Sequence, residues 1–118
     1  MTDNEGEQDC SDEVFSDTRW LSLAQEIKMD TSNNLTSLCV RNCGLGQAPD
    51  GLPALCRALL ACSSVRVLDV SSNDLLVEGA KQLAHVIRDN YSISRLNMES
   101  NNITAFGANA IADALKDK

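Results

Sequence analysis

One spacing of apolar residues recurs three times and leaves few folds open to this chain. Leu35-x-x-Leu38-x-Val40-x-x-Cys43-x-Leu45 is followed by Val65-x-x-Leu68-x-Val70-x-x-Asn73-x-Leu75 and then by Ile93-x-x-Leu96-x-Met98-x-x-Asn101-x-Ile103. The copies begin 30 and then 28 residues apart. Within each copy, apolar residues two apart share one side of an extended strand. A unit this short cannot bury its own apolar face, so successive units must stack and bury one another.

A helical pattern follows each strand pattern. Gly51, Gly79 and Gly107 occupy matching places, and Leu55, Leu83 and Ile111 come four residues later. Another four residues bring Leu59, Ile87 and Leu115, with the small residues Cys56, Ala84 and Ala112 between. That spacing lines one helical face, and the small side chains permit close approach of neighbouring helices. In the first copy Pro49, Asp50 and Pro53 read as a turn entering a helix.

These copies resemble leucine-rich repeats, whose consensus is L-x-x-L-x-L-x-x-N/C-x-L. With glycine-led helices, "VRVLDVSSNDLLVEGAKQLAHVIRDN" and "ISRLNMESNNITAFGANAIADALKDK" are similar to the ribonuclease-inhibitor-like subfamily, over roughly residues 35 to 118. The resemblance implies an α/β leucine-rich-repeat solenoid, a right-handed β-α superhelix of about three repeats (35–64, 65–92 and 93–118). Parallel strands would line its concave face and helices its outside. It also implies a non-enzymatic protein-binding module, since the subfamily includes nuclease inhibitors, sensing ends of immune receptors, Ran-type GTPase activators and actin-capping proteins. Each buried apolar rung is expected to contribute on the order of 1.5–3 kcal/mol. Asn73 and Asn101, where the chain leaves its strand, are expected to satisfy turn backbone groups, with Cys43 as a poorer substitute.

Charge divides the chain. The net charge is −7, and the first 17 residues hold seven acidic side chains and no Lys or Arg. Ordering those residues would cost about 1–2 kcal/mol each, while burial of Val14 and Phe15 returns only ~5 kcal/mol. Residues 1–15 are therefore expected to form a disordered acidic tail. Trp20, Leu23, Ala24 and Ile27 then recur at helical spacing. They predict an N-terminal capping helix over 16–30, or the helical half of a degenerate earlier repeat, with Ser16 or Asp17 as N-cap. Asp30 to Asn34 reads as a polar turn into the repeat region, 31–118. At the other end, the last helix pattern stops without a polar cap, leaving the strand around Arg95–Glu99 as an open sheet edge. A longer parent chain is the favoured expectation, with end-to-end self-association the alternative.

Five cysteines without disulfide or zinc spacing, and no signal peptide, predict a reducing compartment: cytoplasm, with the nucleus the alternative. His85 is the single histidine and reads as a helix surface residue. No catalytic, metal or cofactor constellation is present in the pattern, and no apolar run is long enough to span a membrane. Acidic charge argues against nucleic acid and anionic membrane as partners. A protein partner is expected on the concave strand face. Its outward rows are Ser37, Val67 and Arg95; Cys39, Asp69 and Asn97; and Arg41, Ser71 and Glu99. Arg41, Arg66 and Arg95 lead as contact residues, with Tyr91 at the rim. The competing expectation is a regulator of a partner enzyme or filament, of the Ran-type GTPase-activating or tropomodulin-like capping kind.

Overall fold

The structure, a computed structural model, describes residues 6–29 and 34–116. Strands β1 (Glu7–Asp9), β2 (Ser37–Cys39), β3 (Val67–Asp69) and β4 (Arg95–Asn97) alternate with helices α1 (Asp17–Lys28), α2 (Gly51–Ala61), α3 (Leu76–Asp89) and α4 (Thr104–Lys116). The strands form one parallel sheet in chain order, so each coil of chain lies directly on the coil before it. Leu38 stands opposite Leu68, and Leu68 opposite Leu96. This is the stacked solenoid that the three sequence copies predict.

The repeat positions form the core. Leu38, Val40, Leu45, Val65, Leu68 and Val70 are all buried, as are Leu55, Leu59 and Leu83 from the helical half. Helices can lie close because of the glycines between them: a Cβ on Gly51 would stand 2.6 Å from Trp20 Cδ1. Each strand exit carries a left-handed residue, Asp12, Asn42, Ser72 or Ser100, and the chain beyond adds Gly44, then Asp74 and Leu76, then Asn102 and Thr104. Short polar side chains tolerate that conformation better than branched or bulky ones. No helix among the described residues is long and apolar enough to cross a membrane.

An asparagine ladder joins the coils beneath these turns. Asn73 Oδ1 accepts from Cys43 N–H at 2.9 Å and Leu45 N–H at 3.1 Å. Its Nδ2 donates back to Val40 O, Val70 O and Ser71 O. Asn101 repeats the arrangement one coil later, accepting from Asn73 N–H at 2.7 Å and donating to Val70 O and Met98 O. Cys43 fills the position differently, because a thiol has one donor and a weak acceptor. Its Sγ donates to Cys10 O at 2.8 Å, reaching the preceding coil as the asparagine Nδ2 does. A third asparagine, Asn90 at the end of α3, ties helix exits together by donating to Leu59 O and Cys62 O.

The structure departs from the expected disorder over residues 6–15. Glu7–Asp9 pairs with Ser37–Cys39 as a parallel strand. The ladder continues through Cys10 N–H to Cys39 O, Asp12 N–H to Arg41 O, and Phe15 N–H to Cys43 O. Cys10 and Phe15 are buried, whereas Val14 remains exposed. The expectation failed because it weighed apolar burial alone and left out the backbone pairing offered by an open neighbouring edge. Gln8, Cys10 and Phe15 stand where Leu38, Val40 and Leu45 stand in the next coil. This segment and α1 thus make the degenerate earlier repeat, whole rather than half. Ser16 is its N-cap, accepting from Arg19 N–H at 3.2 Å. Residues 1–5 of the acidic segment and 30–33 of the polar turn lie outside the described residues.

Candidate partner-binding face

The strand register places the outward side chains in lateral rows. Val67 lies between Ser37 and Arg95, and Asp69 between Cys39 and Asn97. The third row follows from the ladder beyond the strands, where Asn42 N–H donates to Ser71 O and Ser72 N–H to Glu99 O. Arg41 and Glu99 are therefore brought to the strand-exit edge, and Arg95 to the strand-entry edge, of one face. Ser37, Cys39, Val67, Asp69 and Asn97 are half-buried between these exposed ends.

The middle row is held rigidly from its own side. Asp69 Oδ1 accepts from Ser71 N–H at 2.9 Å and Ser71 Oγ–H at 2.6 Å. Asn97 Oδ1 accepts from Glu99 N–H at 3.0 Å. Ser71 itself is 3 % exposed. Its expected role as a contact residue is corrected accordingly: its hydroxyl is spent on Asp69, and it acts by orienting that carboxylate. Such side-chain-to-backbone turns fix the outward oxygens before any partner arrives, which lowers the ordering cost of binding.

The pairing of β1 adds a column that the candidate rows lacked. Glu7 extends the first row and Asp9 the second, with Ser11 beside Arg41 in the third. Asp9 repeats the Asp69 motif, accepting from Ser11 N–H at 3.0 Å and Ser11 Oγ at 2.5 Å. These bonds from Ser11, helped by Cys39 and the nearby Arg41 charge, hold the Asp9 carboxyl below the usual carboxylate range. Ser11 Oγ also meets Cys39 Sγ at 3.1 Å. The face therefore grades from acidic at β1 to mixed at β4. The signal for this column was present in the sequence: counting 30 residues back from Ser37 lands on Glu7.

Arg66 and Tyr91 are exposed but stand apart from the rows. They line a shallow depression at the strand-entry rim, together with Leu60, Ser63 and Asp89. That rim is built by the Asn90 bonds to Ser92 and Ile93 N–H.

All five cysteines are free. Burial pushes the Cys43 thiol up to about 11 and the Cys56 thiol to about 12, so both stay protonated near neutrality. Cys39, half-buried on the concave face, is the thiol that the rows present. His85 is exposed on α3, and no group of three or more His, Cys, Asp or Glu among the described residues could hold a metal ion.

Residues 61–84 match the family model described as "Leucine Rich repeat". The match runs from the end of α2 through β3 into α3, across one strand exit and the asparagine beneath it. The match supports a leucine-rich repeat over that stretch. The chain's α/β solenoid has four coils in the described residues, each a strand followed by a helix. Leucine-rich repeats generally serve as interaction modules, which directs attention to the concave rows.

Proposed function

We propose that this chain is a non-enzymatic protein-interaction module of the ribonuclease-inhibitor-like kind, gripping a partner protein on its concave strand face. The observation that carries this reading is the pre-set row of oxygens from Asp9, Asp69 and Asn97, flanked by exposed Arg41 and Arg95. Fixed acceptors between mobile cations favour a polar partner surface of mixed charge. Long repeats with glycine-led helices support the subfamily. Five free thiols support a reducing compartment, the cytoplasm or the nucleus.

The contact set is Ser37, Cys39, Arg41, Val67, Asp69, Arg95, Asn97 and Glu99, with Glu7 and Asp9 added and Arg66 and Tyr91 as a separate rim. Proximity labelling and pull-down with the intact chain, against Arg41→Glu and Arg95→Glu variants, test the assignment. A partner lost in both variants, while each keeps its wild-type melting temperature, is the expected result. A partner retained by both, yet displaced by charge reversal on the helical face, would place binding on the outside of the solenoid instead.

A further inference from the structure

The two ends of the solenoid are built differently. Gly79 in α3, and one coil later Gly107 and Ala114 in α4, lie against the preceding helix. In α1, four residues after Phe15 as Gly79 is after Leu75, the same two positions hold Arg19 and Glu26. Their side chains pair at 3.8 Å, and Arg19 also covers the Phe15 ring at 4.7 Å. A bulky ion pair thus closes the N-terminal face. At the other end, Ala80, Ala84 and Ile87 of α3 are buried beneath α4. Their counterparts in α4, Ala108, Ala112 and Leu115, face outward. A groove lined by Ile93, Leu96, Met98, Ile111 and Leu115 runs between β4 and α4, with Arg95 as its one charged lining residue.

We propose that a second copy of this chain covers that groove, the two copies joining across a two-fold axis at Asn97 with their β4 strands antiparallel. Self-complementarity in sequence and backbone selects this register. Asn97 O is bonded to Val70 N–H and Arg95 N–H to Arg66 O, so odd-numbered residues of β4 face β3. Leu96 presents its N–H and C=O outward and Met98, just past the strand, its N–H, as alternation requires, whereas Met98 O already accepts from Asn101 Nδ2. With the axis at Asn97, Leu96 of one copy opposes Met98 of the other, so that each Met98 N–H donates to the Leu96 O across the axis. The same register sets Arg95 against Glu99 twice, on the concave side, where opposite charges directly across a pair stabilise it. Neither side chain has a charged partner among the described residues. A register one residue pair away, centred on Leu96, would put Arg95 opposite Asn97 and Glu99 opposite Ile93, losing both ion pairs. Behind the strands, the antiparallel α4 helices meet through Ala108, Ile111, Ala112 and Leu115, where the alanines allow close approach. A two-fold contact uses the same surface on both copies, so it closes at two. The contact leaves Arg41 and the β1–β3 columns free but shares Arg95, Asn97 and Glu99 with the proposed partner face, so Arg41→Glu, which should lose the partner and keep the dimer, separates the two readings.

Sedimentation equilibrium of the intact chain over a wide concentration range tests the proposal. A monomer–dimer equilibrium is expected. Leu115→Lys, at a position already 56 % exposed, should give monomer with an unchanged circular dichroism melt. Arg95→Glu and Glu99→Arg should each weaken the dimer about tenfold, from two lost pairs and new like-charge contacts. The double variant Arg95→Glu/Glu99→Arg should restore it. A chain monomeric at every concentration, a mass rising beyond two copies, or a dimer indifferent to Leu115→Lys or to the charge swap would overturn the proposal.

Discussion

Replacing Asn73 with alanine tests the physical basis of the stack most directly. Asn73 is 1 % exposed, and its side chain makes five hydrogen bonds that span two coils. Alanine leaves the Cys43 and Leu45 N–H groups buried without an acceptor, at about 1–2 kcal/mol each on the lower part of the range for an orphaned donor. The lost Nδ2 bonds add less, since carbonyl oxygens tolerate under-satisfaction better than amides. The expected loss is therefore about 2–4 kcal/mol, a large share of the roughly 5–15 kcal/mol typical of a domain. For a chain of this size that lowers Tm by roughly 8–16 °C, read by thermal denaturation. Asn73→Cys separates the two halves of the role. Cys43 shows that a thiol at this site can donate to a carbonyl of the preceding coil, at 2.8 Å to Cys10 O. It accepts poorly, so the cysteine variant should fall between wild type and alanine. An alanine variant that melts with the wild type would refute the ladder as a source of stability. A cysteine variant no better than alanine would refute the donor role assigned to the thiol.

Three other perturbations probe the first coil and the thiols. Deleting residues 1–10 removes β1 and bares the β2 edge, so the truncated chain should lose about 2 kcal/mol or more in chemical denaturation; equal stability would return the segment to an inert tail. Trp20→Ala empties a site with no solvent exposure, where the ring packs tilted at 4.6 Å from Phe15 and fills the space above Gly51, and should cost about 3–5 kcal/mol. At mildly alkaline pH a thiol reagent should modify Cys39 in the native protein and leave Cys43 and Cys56 untouched until denaturant is added. Those two thiols sit near 11 and 12, so they contribute almost no thiolate under such conditions. Modification of Cys56 at the rate of Cys39 would contradict the burial of the α2–α3 contact.

The sequence made the stacked architecture legible wherever apolar periodicity and the asparagine position occurred together. Leu38, Leu68 and Leu96 fell on adjoining parallel strands, and the predicted rows Ser37/Val67/Arg95 and Cys39/Asp69/Asn97 are the observed register. The first coil escaped because its strand is written in polar letters. Gln8 and Cys10 replace two aliphatic rungs, and what orders them is the unpaired edge of β2, a tertiary offer that local composition does not record. Ser71 was misplaced for a related reason. Strand alternation gives a side chain's direction, but not whether a neighbouring carboxylate already holds it. Asn90 shows no periodic signal, since it has no asparagine counterpart one coil earlier, and only its bonds to Leu59 O and Cys62 O reveal its part.

The same repeat rule that builds the stack also determines where it may grow. A coil is accepted by its neighbour when glycine and a small or aliphatic residue lie at the contacting helix positions, as Gly107 and Ala114 do against α3. Putting Arg19 and Glu26 at those positions changes no strand and breaks no ladder, yet it makes the face costly to bury, because both charges would lose water for one pair that is only partly enclosed. Nothing comparable among the described residues protects Ala108, Ala112 and Leu115. Polarity at two helix positions, rather than any difference in the sheet, therefore distinguishes the α1 face of the stack from the apolar α4 face. On the concave side the rows pass from β1 to β4 without a break. A surface bound there experiences one continuous curve, graded from the acidic β1 column to the Arg95/Glu99 column that a symmetry mate would extend.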